Sequence, residues 1–192
     1  MTPELIPANP ILEGLAAHAA GPHAEGTAAD DGAFERIYRE HYTTVVGYLY
    51  RRLASVHAAE DLAAETFLAA LRSMPRIRRS GVRPEFWLLR TATNAANKHL
   101  RDRQRRLRRE RDRASPDPPD GEVWTPERTL VRAAVAQLPE RFQSVIALHY
   151  FASLDVDQVA EVLGCRQGTV KSRLSRGRDM LRRTLELAGG RP

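Results

Sequence analysis

The sequence predicts an all-α protein: two small helical domains joined by a flexible linker, the C-terminal one containing a helix-turn-helix. Three observations carry this. Apolar residues recur at three- and four-residue spacing in the long segments, and no run alternates with period two. Residues 114–121 read ASPDPPDG, a stretch that neither sustains a helix nor buries a core. Residues 155–185 place a short amphipathic helix, a glycine and a longer amphipathic helix in succession.

Residues 1–31 are rich in Pro, Gly and Ala without a sustained apolar period, and are expected to form a disordered arm. Folded structure is expected from Gly32. Phe34, Tyr38, Val45, Leu49 and Leu53, with Ile37, Tyr42 and Val46 beside them, mark a first helix. Residues 58–73 read as a second, with Ala64, Phe67, Leu68 and Leu71 on one face and Glu60, Asp61 and Glu65 on another. Pro75 is expected to end it, leaving a basic loop to Pro84. Pro84 suits the first turn of a third helix, which carries Phe86, Trp87, Leu88 and Leu89 into an Arg-rich stretch. The linker is placed at 106–124. Thr125 and Pro126 then open a helix through Leu130, Ala134 and Leu138, which Pro139 interrupts. Residues 140–152 form the next, with Phe142, Val145, Ile146, His149 and Tyr150 available for packing.

The last two helices carry the most information. Asp155 is a fitting N-cap for a short helix whose Val156, Val159, Ala160 and Leu163 face inward. Gly164 supplies the turn because it reaches left-handed backbone angles cheaply. Val170, Leu174, Gly177, Leu181 and Leu185 form the buried stripe of the longer helix, while Thr169, Lys171, Ser172, Arg173 and Arg176 project elsewhere. In a helix-turn-helix that second helix enters the major groove by its N-terminal end. There Arg reads guanine, Gln reads adenine, and Lys or Ser holds phosphate.

Charge supports a polyanionic partner. The chain has 192 residues and a formal net charge of +6. Residues 98–113 hold nine basic and three acidic side chains, and residues 166–183 hold seven and one. Each segment is thus +6 on a remainder of −6, which reads either as two contacts with one long polyanion or as two solvated helix faces. A single cysteine, Cys165, excludes an intramolecular disulfide framework and a multi-cysteine zinc site, and reads as a small buried hydrophobe. No apolar run reaches the roughly 18–20 residues of a membrane span. Pro3, Glu4, Pro7 and Pro10 stand where a signal peptide would have its basic and apolar regions, so a cytoplasmic protein without membrane insertion is expected.

With these features in order, the chain resembles an extracytoplasmic function (ECF), or group IV, sigma factor of the sigma-70 family. The resemblance covers residues 32–187 and is carried by AAEDLAAETFLAAL (58–71), FWLLRTATNAANKHLRDRQRR (86–106), LPERFQSVIALHYFASLDVDQVAEVLG (138–164) and GTVKSRLSRGRDMLR (168–182). It implies a sigma-2-like domain over 32–105 and a sigma-4-like domain over 125–187, with a tail at 188–192. The first would bind the clamp helices of the RNA polymerase core and read the promoter −10 element. The second would bind the polymerase flap and read the −35 element.

Residue by residue, the resemblance assigns Glu60, Asp61 and Glu65 to core polymerase, although alone they read as a solvated face. It assigns Asn94 to a base or backbone contact at −10, with Lys98 and Arg101 suited to phosphates. It assigns Arg166, Gln167, Thr169, Lys171, Ser172, Arg173 and Arg176 to −35. Phe86 and Trp87 are expected in the core rather than stacked on bases. Two positions depart from the family pattern: Arg166 stands where a small hydroxyl residue is common, and Lys98 where an acid is frequent. Family members are often held by an anti-sigma factor, which is a further expected partner. No cofactor or metal is expected. The alternative reading is a stand-alone helix-turn-helix regulator that binds operators without polymerase. A nuclease with metal at Asp61 and Glu65 lacks a third ligand.

Overall fold

In a computed structural model the described residues are 28–110 and 126–189, and their regular elements are helices. Three form a first unit: α1 (Ala28–Leu53), α2 (Val56–Ser80) and α3 (Pro84–Glu110). The second unit comprises α4 (Pro126–Gln137), α5 (Glu140–Ile146), α6 (Val156–Leu163) and α7 (Gln167–Gly189). A single π-helical turn, Ala147–Phe151, extends α5.

The first unit is a three-helix bundle around Tyr48, Leu49, Phe67, Met74 and Leu88, each fully buried. Burying a side chain of this size contributes about 1.5–3 kcal/mol. The expected stripe of α1 is the observed one: Phe34, Tyr38, Val45, Leu49 and Leu53 all lie in the core. Tyr38 sits between Tyr42, with ring centroids 4.9 Å apart, and Phe67, 4.8 Å away. Burial, with Tyr42 alongside, pushes its hydroxyl pKa up to about 12. Phe86 is buried beneath the Arg83 guanidinium, 3.8 Å from its ring centroid, and Trp87 packs half-buried on the core.

Four expectations change. Pro75 does not end α2, which continues to Ser80 and stops at Gly81 with φ +67°. Pro75 is exposed and its missing N–H removes one intrahelical bond, while Met74 and Ile77 on either side are buried and hold the helix together. The basic loop is therefore the last helical turn and only a short connection to Pro84. The buried face of α2 is also rotated: Ala59, Ala63, Phe67, Ala70 and Met74 are buried, whereas Ala64, Leu68 and Leu71 are half-buried. Alanine fits either face, so the larger side chains alone misplaced the stripe. Third, α1 begins at Ala28 and α3 runs to Glu110, because residues 106–110 are good helix formers and the first proline comes only at 116. Most of the expected linker, the arm before residue 28 and the last three residues lie outside the described residues. Finally, Tyr150 is exposed rather than packed, while Val135 and Val162 fill the core of the second unit. The π turn accounts for Tyr150: Ala152 N–H reaches back five residues to Ala147 O, which shifts the helical register there.

The two units lie against each other, α3 on α6 and α1 on the π turn. Arginines dominate the polar part of the seam. Arg51 donates to Phe151 O at 2.6 Å, Arg132 to Leu53 O at 3.2 Å, and Arg83 meets Glu161 at 3.4 Å. Arg101 pairs with Glu140.

Candidate nucleic-acid interface

The helix-turn-helix is fixed by local chemistry. The Asp155 carboxylate accepts from Gln158 N at 2.8 Å, and Asp155 N donates to Gln158 Oε1 at 2.9 Å, a reciprocal capping box. Val159, Ala160 and Val162 anchor α6 in the core. Gly164 then takes φ +61°, and Cys165 N donates to Ala160 O at 3.0 Å, closing the helix in a left-handed cap. A Cβ at Gly164 would also lie 2.4 Å from Arg90 Nη2 of the first unit. Cys165 packs against the core but is half-buried rather than buried as expected, because it follows the Gly164 turn at the edge of the unit.

The recognition helix α7 starts at Gln167. The Arg166 carbonyl accepts from Thr169 N at 2.8 Å and Val170 N at 3.2 Å, so Arg166 occupies the N-cap position with a side chain that has no acceptor. That is the local cost of the arginine noted in the sequence. Val170, Leu174 and Gly177 face the core. At Gly177 a Cβ would stand 3.2 Å from Ile146 Cγ1 and 3.5 Å from Phe142 Cβ, so α7 crosses α5 closely. Arg166, Gln167, Lys171, Ser172 and Arg176 are exposed, and Thr169 and Arg173 half-buried. Ser172 Oγ donates to Thr169 O at 3.0 Å and keeps its lone pairs for an incoming donor. The ion pairs of α7 lie at its far end, where Arg182 meets Asp179 at 3.4 Å and Glu186 at 3.9 Å. The seven residues expected at −35 thus lie in the first two and a half turns of α7 and its N-cap, spread around the faces that the buried stripe leaves open.

The second cluster lies on α3. Asn94 and Lys98 are exposed, one turn apart. Arg101 is exposed but engaged across the seam with Glu140. Beside them is a residue the sequence reading passed over. Asn97 is 6% exposed and ends a buried polar chain. Arg52 donates to Tyr48 Oη at 2.8 Å and to Asn97 Oδ1. Tyr48 Oη meets Thr93 Oγ1 at 2.9 Å, and Thr93 donates to Leu89 O at 2.6 Å. Asn97 Nδ2 then donates to Glu140 Oε1 at 2.8 Å and to Ser144 Oγ at 3.3 Å. The i, i+4, i+8 row Thr93, Asn97, Arg101 was the available signal: three polar residues on one stripe of a helix whose neighbouring stripe is core.

On α2, Asp61 and Glu65 are exposed and Glu60 half-buried, and no ion pair joins them to other described residues. His99 lies within the field of Asp61, but burial and then the Arg106 and Arg103 cations hold its pKa below the ordinary value. No group of three metal-ligating side chains occurs among the described residues, and no described helix is long and apolar enough to cross a membrane.

Comparison with known proteins converges on this arrangement. The family description Sigma-70 region 2 matches residues 37–106, and Sigma-70, region 4 matches residues 128–181. ECF RNA polymerase sigma factor SigL of Mycobacterium tuberculosis is 33% identical over 85% of this chain and 96% of its own length. ECF RNA polymerase sigma factor SigE of Mycolicibacterium smegmatis is 31% identical over 83% of this chain, a match that spans 64% of that longer protein. Among solved structures, the sigma factor RpoE of Bartonella quintana, in complex with the anti-sigma factor NepR, shares the fold. Its TM-score is 0.58 at 20% identity, over 80% of this chain and 97% of that one. CnrH, in complex with the cytosolic domain of CnrY, has a TM-score of 0.57 at 22% identity, over 90% and 96%. The chain belongs to the sigma-70 family, in its ECF group of RNA polymerase sigma factors.

Proposed function

We propose that the first unit, from residue 32 to about 110, binds core polymerase through Glu60, Asp61 and Glu65 and holds the −10 strand through Asn94, Lys98 and Arg101. The second, from about 125 to 187, reads the −35 element through Arg166, Gln167, Thr169, Lys171, Ser172, Arg173 and Arg176. The observation that carries this is the pairing of a cationic surface on α7 with an acidic surface on α2, neither of them ion-paired at these positions among the described residues. The first suits phosphates and base edges, the second a basic protein. Strand opening on this reading needs no bond chemistry. It needs a surface that binds unstacked bases and phosphates better than paired ones. The chain therefore acts as a binding and positioning subunit rather than an enzyme, in the cytoplasm where polymerase is. As in the RpoE–NepR complex above, an anti-sigma factor is a further partner.

The test is transcription in vitro with core polymerase and this chain on fragmented genomic DNA, with start sites sequenced. Specific start sites sharing two upstream elements are expected. Absence of any specific transcript at saturating protein overturns the proposal, and operator binding without polymerase capture would replace it with a stand-alone regulator.

A further inference from the structure

We propose that Asn97 and Arg101 form a phosphate site for the promoter strand, and that in the free protein the Glu140 carboxylate occupies it as a built-in stand-in. This rests on the reading of the chain as a sigma factor whose α3 meets DNA.

The geometry of the cradle is that of an anion site. Asn97 Nδ2 donates to Oε1 of Glu140 at 2.8 Å, and Arg101 Nη1 donates to Oε2. Two donors four residues apart on one helix thus take the two oxygens of one carboxylate, and the two non-bridging oxygens of a phosphodiester offer the same pair of acceptors. The amide orientation is fixed from behind. Asn97 Oδ1 accepts from Arg52, which is 5% exposed and also donates to the Tyr48 hydroxyl. The amide carbonyl is occupied, so only its N–H groups face the seam. The site offers donors backed by a buried cation, and the negative charge of the network is Glu140, from the other unit. Asn94 and Lys98 stand exposed on the adjoining turns. A strand following α3 past those two residues would bring a phosphate to the place Glu140 holds. Glu140 and the strand therefore compete, and the seam between the units lowers the free chain's affinity by the fraction of time it is closed.

The experiment measures binding of the full-length chain, without polymerase, to a labelled single-stranded 20-nucleotide DNA of mixed sequence across a salt series. Glu140→Gln keeps the shape of a side chain that is 45% exposed. It is expected to tighten binding about three- to five-fold at low salt, the scale of one half-exposed ion pair, with the gain shrinking as salt screens that pair. Glu140→Asp keeps the charge but shortens the reach, and should give a smaller gain. Glu35→Gln, on the distant face of α1, makes the same net-charge change and should give none. In an Arg101→Gln background the Glu140→Gln gain should vanish. The proposal is overturned by a gain that persists in that background, by an equal gain from Glu35→Gln, or by no gain at all. Wild-type transcription with core polymerase, run in parallel, separates the failures: no specific transcript removes the sigma reading, whereas specific transcription with a flat mutant cycle removes only the stand-in.

Discussion

Gly164 is constrained by its backbone. Its φ of +61° costs an L-residue about 1–2 kcal/mol, whereas the Arg90 guanidinium 2.4 Å from the place of a Cβ is the end of a flexible, exposed side chain that can move aside. Gly164→Ala should therefore lower unfolding free energy by about 1–2 kcal/mol in a denaturant titration and disturb the start of α7, whereas Gly168→Ala, with open space around it, should cost little. His99 supplies a pH dependence. Its folded pKa lies below the ordinary 6.5, chiefly because burial and then Arg106 and Arg103 disfavour the imidazolium. The unfolded chain thus binds a proton that the folded chain resists. The stability this group supports is complete above about pH 6.5 and falls as pH drops through the folded pKa. His99→Gln should flatten that part of a stability-against-pH curve, and an unchanged curve would assign the loss elsewhere. At this scale the sequence was legible wherever backbone chemistry speaks locally: Asp155, Gly164 and Pro84 all do what their positions suggest. Asn97 was not legible, because its partners Arg52 and Glu140 are more than forty residues away on either side and only packing brings them together.

At the scale of helices, periodicity placed seven of them and missed where α2 stops. A proline in a helix interior is about 3 kcal/mol worse than alanine, yet the burial of Met74 and Ile77 outweighs it. Pro75→Ala restores the bond to Leu71 O at an exposed position, offset by about 0.4–1 kcal/mol of added freedom in the unfolded chain. The variant should be stabilised by about 2–2.5 kcal/mol. A loss of stability would mean that a bend at Pro75 is needed to seat Ile77. On the reading proposed for α7, one set of side chains holds phosphate and another reads bases. Lys171→Ala should weaken promoter binding by the polymerase complex uniformly across sequences and reduce the salt slope by about 0.9, one duplex phosphate. Arg173→Ala should cost about 1–3 kcal/mol at one −35 base pair and relax its preference. Equal effects of both variants on all sequences would remove the base-reading role.

The whole molecule has a size problem that its linker solves. A compact chain of this length has a radius of gyration of about 16 Å, so it is about 40 Å across. Promoter positions −35 and −10 are about 25 base pairs apart, which is about 85 Å of duplex at 3.4 Å per pair. The closed arrangement therefore does not span both elements on a straight duplex. The roughly 15 residues between Glu110 and Pro126 span at most about 50 Å, and with two units each about 30 Å across the open chain can. Opening breaks the contacts of Arg51, Arg83, Arg101 and Arg132 across the seam. The ion pairs among them are half-exposed and worth at most about 1 kcal/mol each, and the apolar contacts of the seam and the Asn97 bonds to Glu140 and Ser144 add to what polymerase and DNA must offset. The sequence showed that there are two units, from its Pro-rich break, but not that they close on each other, since that depends on pairings between residues far apart along the chain. Energy-transfer labels at Thr43→Cys on α1 and Ser175→Cys on α7, with Cys165→Ser to remove the native thiol, would report the separation; both label sites are exposed. Transfer should be high in the free chain, fall in part with Glu140→Gln or at high salt, and fall furthest when core polymerase and promoter DNA are added. If transfer stays unchanged on forming the promoter complex, the units do not separate, and the two elements must be brought together by bending the DNA instead.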